Sequence, residues 1–453
     1  MKVHFIAIGG SAMHSLALAL YKKGYAITGS DDEFFEPSKS RLSAAGLLPK
    51  TSGWHPEKIT TDLDAVILGM HARNDNPELI RARELGLKIY SYPEYLFEQT
   101  KDKTRVVIGG SHGKTSITSM VIHVLSYNRL DFDFMVGAQL EGQEDNIRLT
   151  KNAKIAVFEG DEYLSSTIDL RPKFHLYKPN IALISGIAWD HVNVFTTFDV
   201  YVEQFKIFID KIEPDGNLIY CADDPLVSGI ALIARDDVSS FPYNYHPYEV
   251  IESQVFLLHE GRKYPVRVFG KHNMQNLNGA KQVCKLLGIS DKQFYEAIAT
   301  FNGASKRLQL IGQNDHTNIY LDFAHSPSKL SATVRAVKEH FPKRKLIACM
   351  ELHTFSSLSE DFLQQYYGTM ERADRAYVYF SPNEIEVKKL KQFSVESVER
   401  AFDSKHLSVF TDLNALIREM KSIDWKDKNL LLMSSGNFDG LDFTGFAKEL
   451  LRQ

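Results

Sequence analysis

Apolar positions along this chain alternate between two rhythms. Short runs that are apolar throughout, such as Phe5–Ile6–Ala7–Ile8, Val106–Val107–Ile108, Ile155–Ala156–Val157–Phe158 and Ile181–Ala182–Leu183–Ile184, read as strands buried on both faces. Between them lie longer stretches with helical spacing, among them 11–22, 114–127, 275–287 and 291–300. Buried strands alternating with helices predict α/β domains on mainly parallel sheets. A first cycle adds strands at 25–28, 65–69 and 87–90. A third cycle has strands at 308–311, 319–323, 345–350, 375–380 and 429–433. Residues 241–270 break the rhythm: short alternating segments interrupted by Pro242, Pro247 and Pro265 predict a small antiparallel region inside the second cycle. The charged stretch 99–105 and the neighbourhood of Lys306 separate the cycles, giving domains 1–100, 101–305 and 306–453.

Composition narrows the partners. A chain of 453 residues, 44% hydrophobic and 24% charged, supports several cores. The net charge of −4 provides no basic stripe, which argues against nucleic acid and against an anionic membrane surface. The apolar runs are too short to cross a bilayer. Cys221, Cys284 and Cys349 stand far apart and form neither a metal-type pair nor a disulfide framework. The chain enters its first strand at once, with no signal peptide, so a cytoplasmic location is expected.

The strongest chemical signal is Gly110–Ser111–His112–Gly113–Lys114–Thr115. It joins a buried strand to a helix, the setting in which backbone N–H groups and a helix N-terminus cradle phosphate. Lys114 is suited to the β- and γ-phosphates and the Thr115 hydroxyl to Mg²⁺. Ile108 occupies the position where the common phosphate loop has its first glycine, so the loop is a variant; the competing reading is an ordinary glycine turn. Downstream, Glu159 ends a buried strand, as a Mg²⁺-linked carboxylate does, and Asp161 and Glu162 follow it. Asp190–His191 follows the next buried strand, where parallel sheets present ligand-binding residues. In the first cycle, Gly9–Gly10–Ser11–Ala12 with Asp31 roughly twenty residues further on fits a diphosphate-binding turn loosely. Two further clusters, His272–Asn273 with Asn276 and Asp322 to Pro327, take no function from periodicity; Arg307 is a cation near the second boundary.

These motifs, in this order from His4 to Gly440, resemble the Mur ligase family, ATP-dependent amide-forming enzymes of peptidoglycan metabolism. The resemblance implies a Rossmann-like UDP-sugar domain, a P-loop ATPase-like central domain carrying the antiparallel region, and a Rossmann-like C-terminal domain that receives the peptide or amino acid. It implies ATP contacts from Gly110, Ser111, His112, Gly113, Lys114, Thr115, Ser116, Asn273, Asn276, Arg307, Asp322 and His325. UDP-sugar contacts fall on Gly9, Gly10, Ser11, Ala12, Asp31 and His71, and Asp75–Asn76–Pro77–Glu78 matches a short motif of that domain. Mg²⁺ falls to Thr115, Glu159 and His191, and catalysis to Lys114, Glu159 and His191. The family's shortened loop accounts for Ile108. Within the family, 7–17 and 434–440 resemble the branch that joins L-Ala-γ-D-Glu-meso-diaminopimelate, a recycled tripeptide, to UDP-N-acetylmuramate. The alternative is the branch that adds L-alanine, from which the stretch before Asp190 departs: Ser185 to Trp189 lacks its asparagine and glutamate. Some relatives use a carbamylated lysine; Lys206 lies in that region without a secure match.

The implied mechanism activates the muramate carboxylate as an acyl phosphate, which the incoming amine then attacks. That amine must be unprotonated, and His353, after the strand 345–350, is a candidate base against the plainer reading of a solvated loop histidine. A monomer or weak homo-oligomer is expected. Two readings from other classes remain: a P-loop ATPase coupled to macromolecular movement, which the acidic balance disfavours, and a nicotinamide-binding dehydrogenase built on the first domain.

Overall fold

The computed structural model describes residues 1–70, 72–138 and 145–452, which form two compact units. The first comprises Met1–Ile187, Val202–Tyr243 and Gly279–Gln293; the second comprises Ala188–Tyr201, Asn244–Asn278 and Phe294–Gln453.

The first unit carries two sheets. β1 (Lys2–Ile6), β2 (Ala26–Ser30), β3 (Ala65–Leu68) and β4 (Ile89–Ser91) pair in parallel in the order β2-β1-β3-β4. Ile6, Val66 and Leu68 pack against Leu79 and Ala82 of the helix Pro77–Glu84, whose spacing of three residues keeps both on one face. The second sheet contains β5 (Thr104–Gly109), β6 (Phe132–Met135), β7 (Ile147–Arg148), β8 (Ile155–Glu159), β9 (Ile181–Ile184), β10 (Asn217–Cys221) and β11 (Ser239–Tyr243). Its order is β11-β10-β9-β5-β8-β6-β7, and only the β6–β7 pairing is antiparallel. β5, β8 and β9 lie at its centre, which is why their sequences show no polar alternation. Arg105 near the start of β5 is almost fully buried; its guanidinium donates to the carbonyls of Thr100, Lys101 and Lys103 and pairs with Glu213 at 2.9 Å. A buried cation persists only when so satisfied, and these bonds tie residues 100–103 to the sheet.

The second unit holds a three-stranded antiparallel sheet, β12 (Tyr248–Ile251), β13 (Gln254–His259) and β14 (Arg262–Val266). It also holds a six-stranded sheet: β15 (Gln309–Gln313), β16 (Thr317–Asp322), β17 (Lys345–Leu352), β18 (Arg375–Phe380), β19 (Leu407–Phe410) and β20 (Lys428–Met433). The order is β15-β16-β20-β17-β18-β19, parallel except at β15. Ile319, Ile347, Cys349, Leu430 and Leu432 form one core layer with Trp425 and Phe446.

The expected α/β architecture is present, but the antiparallel region has other limits than expected. The antiparallel region begins at Tyr248, not 241; Phe241–Pro242–Tyr243 belongs to the parallel sheet as edge strand β11. An edge strand tolerates Pro242, whose missing N–H faces no partner. All three cysteines are free and buried. Among the described residues no helix is long and apolar enough to cross a membrane.

Candidate active site

β5 ends at Gly109 and the helix Lys114–Tyr127 begins five residues later, so 110–113 make the whole connection. Gly110 has φ +125°, and a Cβ there would lie 2.2 Å from Ser185 Oγ. The end of β9 clamps the turn: Ser111 N–H donates to Gly186 O at 2.9 Å, and the Ser185 hydroxyl donates to the carbonyls of Gly109 and His112. Gly113 caps the helix without a side-chain acceptor. First-turn N–H groups have no intrahelical partner, and the helix dipole is positive there, so the turn has the chemistry of an anion site.

Two carboxylates face this turn. Glu159, ending β8, accepts the Thr115 hydroxyl on Oε1 at 2.7 Å and the Gly137 N–H on Oε2 at 2.7 Å. A threonine hydroxyl beside a carboxylate is the hard-oxygen set that Mg²⁺ takes. Among the described residues no cluster of three or more His, Cys, Asp or Glu side chains makes a cation cage of its own. A Mg²⁺ held through one or two carboxylates and substrate phosphates needs none. The sequence left open the role of Glu162: it is fully buried and accepts the Lys114 ammonium at 2.6 Å, while Lys114 also donates to Gly110 O at 2.6 Å. Burial works to lower the Lys114 pKa; the negative charge of Glu162, Asp161 and Glu159 outweighs it and holds the lysine above its usual value.

In the same unit, the turn after β1 places Ala7 at φ +68° and starts the helix Ser11–Lys22 from Gly10, again without a side-chain cap. Asp31 is buried and braces this turn, accepting Gly9 N–H on Oδ2 at 2.7 Å and Asp32 N–H on Oδ1 at 3.0 Å. Ser11 and Ala12 are exposed at the helix start, and His71 lies outside the described residues. Glu78 of the short motif is buried against His4 at 3.3 Å and accepts His55 N–H at 2.6 Å, while Asn76 caps the helix that Pro77 opens. Lys206 pairs with Glu203 at 3.0 Å.

The second unit holds the remaining candidates. His191 adopts φ +54°, and its N–H donates to Asp190 Oδ1 at 2.8 Å. Asp190 Oδ2 lies 3.5 Å from Lys329 and 3.7 Å from His325. Burial works to raise the Asp190 carboxyl, but Lys329 and His325 hold it well below the usual carboxylate range. Burial and Lys329 push the His325 imidazole down, against the pull of Asp190. Asp322, ending β16, accepts the N–H groups of Leu308 and Ala324, and Arg307 stacks over Phe323 at 4.6 Å. Burial raises the Asp322 pKa, and Arg307 opposes it. Asn273 donates to Phe269 O at 2.9 Å, and Asn276 is buried one turn later. The structure therefore gathers Gly110 to Ser116 with Glu159 in one unit, and His191, through Asp190, with His325 in the other.

Three family models match successive stretches of the chain: the Mur ligase family catalytic domain over 2–104, the Mur ligase middle domain over 108–284, and the Mur ligase glutamate ligase domain over 306–436. The UDP-N-acetylmuramate–L-alanine ligase of Sulfurihydrogenibium sp. is 31% identical over 80% of this chain and 78% of its own length. That of Caldicellulosiruptor saccharolyticus is 30% identical over 83% of both. Among solved structures, a murein peptide ligase from Psychrobacter arcticus 273-4 superposes with TM-score 0.65 at 23% identity, covering 100% of this chain and 98% of that one. The UDP-N-acetylmuramate-alanine ligase of Thermotoga maritima gives TM-score 0.71 at 21% identity over 100% and 98%. These two likenesses show the three-domain fold. The chain belongs to the Mur ligase family of ATP-dependent, ADP-forming ligases.

Proposed function

We propose that this ligase joins L-Ala-γ-D-Glu-meso-diaminopimelate to UDP-N-acetylmuramate in peptidoglycan recycling, in the bacterial cytoplasm. The observation that carries the ligase chemistry is the turn 110–113 with Lys114, Thr115 and Glu159 around it. Domains 1–100, 101–305 and 306–453 divide the work among UDP-sugar, ATP and acceptor. The turn at Gly9 and Gly10, with Ser11, Ala12, Asp31 and His71, takes the UDP-sugar. Residues 110–116 take the ATP phosphates, with Asn273, Asn276, Arg307, Asp322 and His325 as further nucleotide contacts.

Thr115, Glu159 and His191 would hold Mg²⁺, which when bound supplies positive charge at the phosphates. Lys114 neutralises charge on the transferred phosphoryl group, its ammonium kept protonated by Glu162 and the neighbouring acids. The turn's N–H groups hold that group in line with the muramate carboxylate. The carboxylate becomes an acyl phosphate, an amine displaces phosphate from its carbonyl, and ADP and inorganic phosphate accompany the new amide.

Support for the peptide acceptor comes from the segments 7–17 and 434–440 and from the missing asparagine and glutamate ahead of Asp190. The names of the relatives favour the other reading, a ligase that adds L-alanine. Parallel assays of ADP release with UDP-N-acetylmuramate and either free L-alanine or the tripeptide decide between them. Turnover with the tripeptide and little with L-alanine is the expected result; the reverse establishes the alanine-adding reading.

A further inference from the structure

The carboxyl ends of three adjacent parallel strands, β17, β18 and β20, converge on a second cluster of charged side chains. Glu351, near the end of β17, is 2% exposed. Its Oε2 accepts the Ser434 hydroxyl and the Phe438 N–H at 3.0 Å. Its Oε1 accepts no hydrogen bond among the described residues. His353 Nδ1 lies 3.9 Å from it. That Nδ1 is buried with no hydrogen-bond partner among the described residues and also lies 4.0 Å from Glu384 Oε2. Ser435 Oγ, beside Ser434, is likewise buried without a hydrogen-bond partner among the described residues. Lys388 pairs with Glu384 and reaches over the ring of the exposed Phe355, 5.9 Å from its centroid. His353 sits here only because residue 436 is glycine: a Cβ would lie 2.8 Å from its ring. A buried carboxylate braced on one oxygen and open on the other, next to an imidazole that also borders the Glu384–Lys388 pair, is a receptor left incomplete by the protein's own groups.

We infer that this cluster recognises a zwitterionic amino-acid end group on the acceptor, its ammonium on Glu351 and its carboxylate on Lys388 and His353. The inference rests on the peptide-ligase reading and deepens it. The attacking amine must be neutral, whereas a buried carboxylate stabilises an amine in its charged form. The pocket therefore suits an amine that does not react, at a distance from the one that does. Free L-alanine has no such second amine; a peptide ending in a diamino dicarboxylic acid has one, with a carboxylate on the same carbon and a methylene chain to lie along Phe355. His353 thereby acts as a recognition residue rather than the base.

The test compares two acceptors, L-Ala-γ-D-Glu-meso-diaminopimelate and the same peptide ending in 2-aminopimelate, which lacks only the remote ammonium. Wild-type protein is expected to prefer the first at least tenfold in kcat/KM. Glu351→Gln is expected to raise KM for the first about tenfold, leaving its kcat and the values for the second unchanged. Equal use of the two acceptors by wild type overturns the inference, as does a loss of kcat with both acceptors in Glu351→Gln. A thermal melt and UDP-N-acetylmuramate binding check that this variant folds. Should it not, Lys388→Met with a peptide ending in a remote primary amine without carboxylate supplies the matching arm. There the variant should lose its preference for the carboxylate-bearing end, and a retained preference overturns the inference. Wild-type protein that ligates L-alanine and no peptide removes the functional reading itself, an outcome distinct from peptide ligation without selectivity.

Discussion

The Lys114 ammonium lies 2.6 Å from a carboxylate, Glu162, that has no exposed surface. The lysine proposed to meet phosphate is thus also the counter-ion of a buried charge. Lys114→Ala is expected to abolish ADP formation while leaving UDP-sugar binding in place. It also strands Glu162, and breaking a buried pair from one side costs about 3–5 kcal/mol. The double variant Lys114→Met with Glu162→Gln should regain most of that stability in a urea titration and none of the turnover. Turnover in either variant would remove Lys114 from the phosphoryl step.

Gly110 tests the turn without touching a charge. At φ +125° a side chain is strained, and its Cβ would meet Ser185 Oγ at 2.2 Å and Ser185 N at 3.0 Å. The second contact is backbone and cannot rotate away. Gly110→Ala should weaken binding of a non-hydrolysable ATP analogue by at least tenfold in calorimetry, and adding Ser185→Ala should not restore it. Full rescue by the second change would reduce the role of Gly110 to side-chain crowding.

The parts of the site that lie within one strand–turn–helix unit were legible in the sequence. The span Val106 to Thr115 carries its own strand, glycines and helix start, so its conformation follows from local chemistry. Glu159 was legible for the same reason, as the acid that closes a buried run. Glu162 was not singled out from its neighbours, because its role depends on an ion pair across 48 positions that no local pattern encodes. Lys329 and Ser185 escaped for the same reason. In the fold, β6, β7, β10 and β19 went unrecognised. β7 spans two residues, and β19 is an edge strand of intermediate burial that lacks the fully apolar run of a central strand. The prolines of 241–270 suggested a break where Pro242 merely marks a sheet edge.

Asp31 offers a test that distinguishes the proposed UDP-sugar site from the proposed ATP site. Both its oxygens are engaged by backbone N–H groups at the Gly9 turn and at Asp32, so it shapes the turn from within. Asp31→Ala removes one brace and leaves the Gly9 N–H to find another acceptor. UDP-N-acetylmuramate affinity should fall about tenfold with ATP affinity unchanged, measured by calorimetry on each ligand separately. Equal losses for both ligands would mean that the substitution disturbs the unit as a whole.

His175 makes the folded state sensitive to acid. Burial, with its ring stacked on Phe174 at 4.7 Å, pushes the imidazole down to about 4 from an ordinary 6.5. Its Nε2–H donates to Gln204 O at 2.7 Å, an arrangement that favours the charged form and only partly opposes burial. As pH falls below 6.5 the unfolded chain takes up a proton that the folded chain refuses until about pH 4. Stability is therefore complete above 6.5, is lost through that window and is constant in this respect below it. At ~1.4 kcal/mol per pKa unit the loss is on the order of 3 kcal/mol. His175→Gln keeps a donor for Gln204 O and removes the titration. Urea midpoints for the two proteins, taken every half unit from pH 7 to pH 4, should converge on the acid side by that amount. Parallel curves would place the acid sensitivity on other groups.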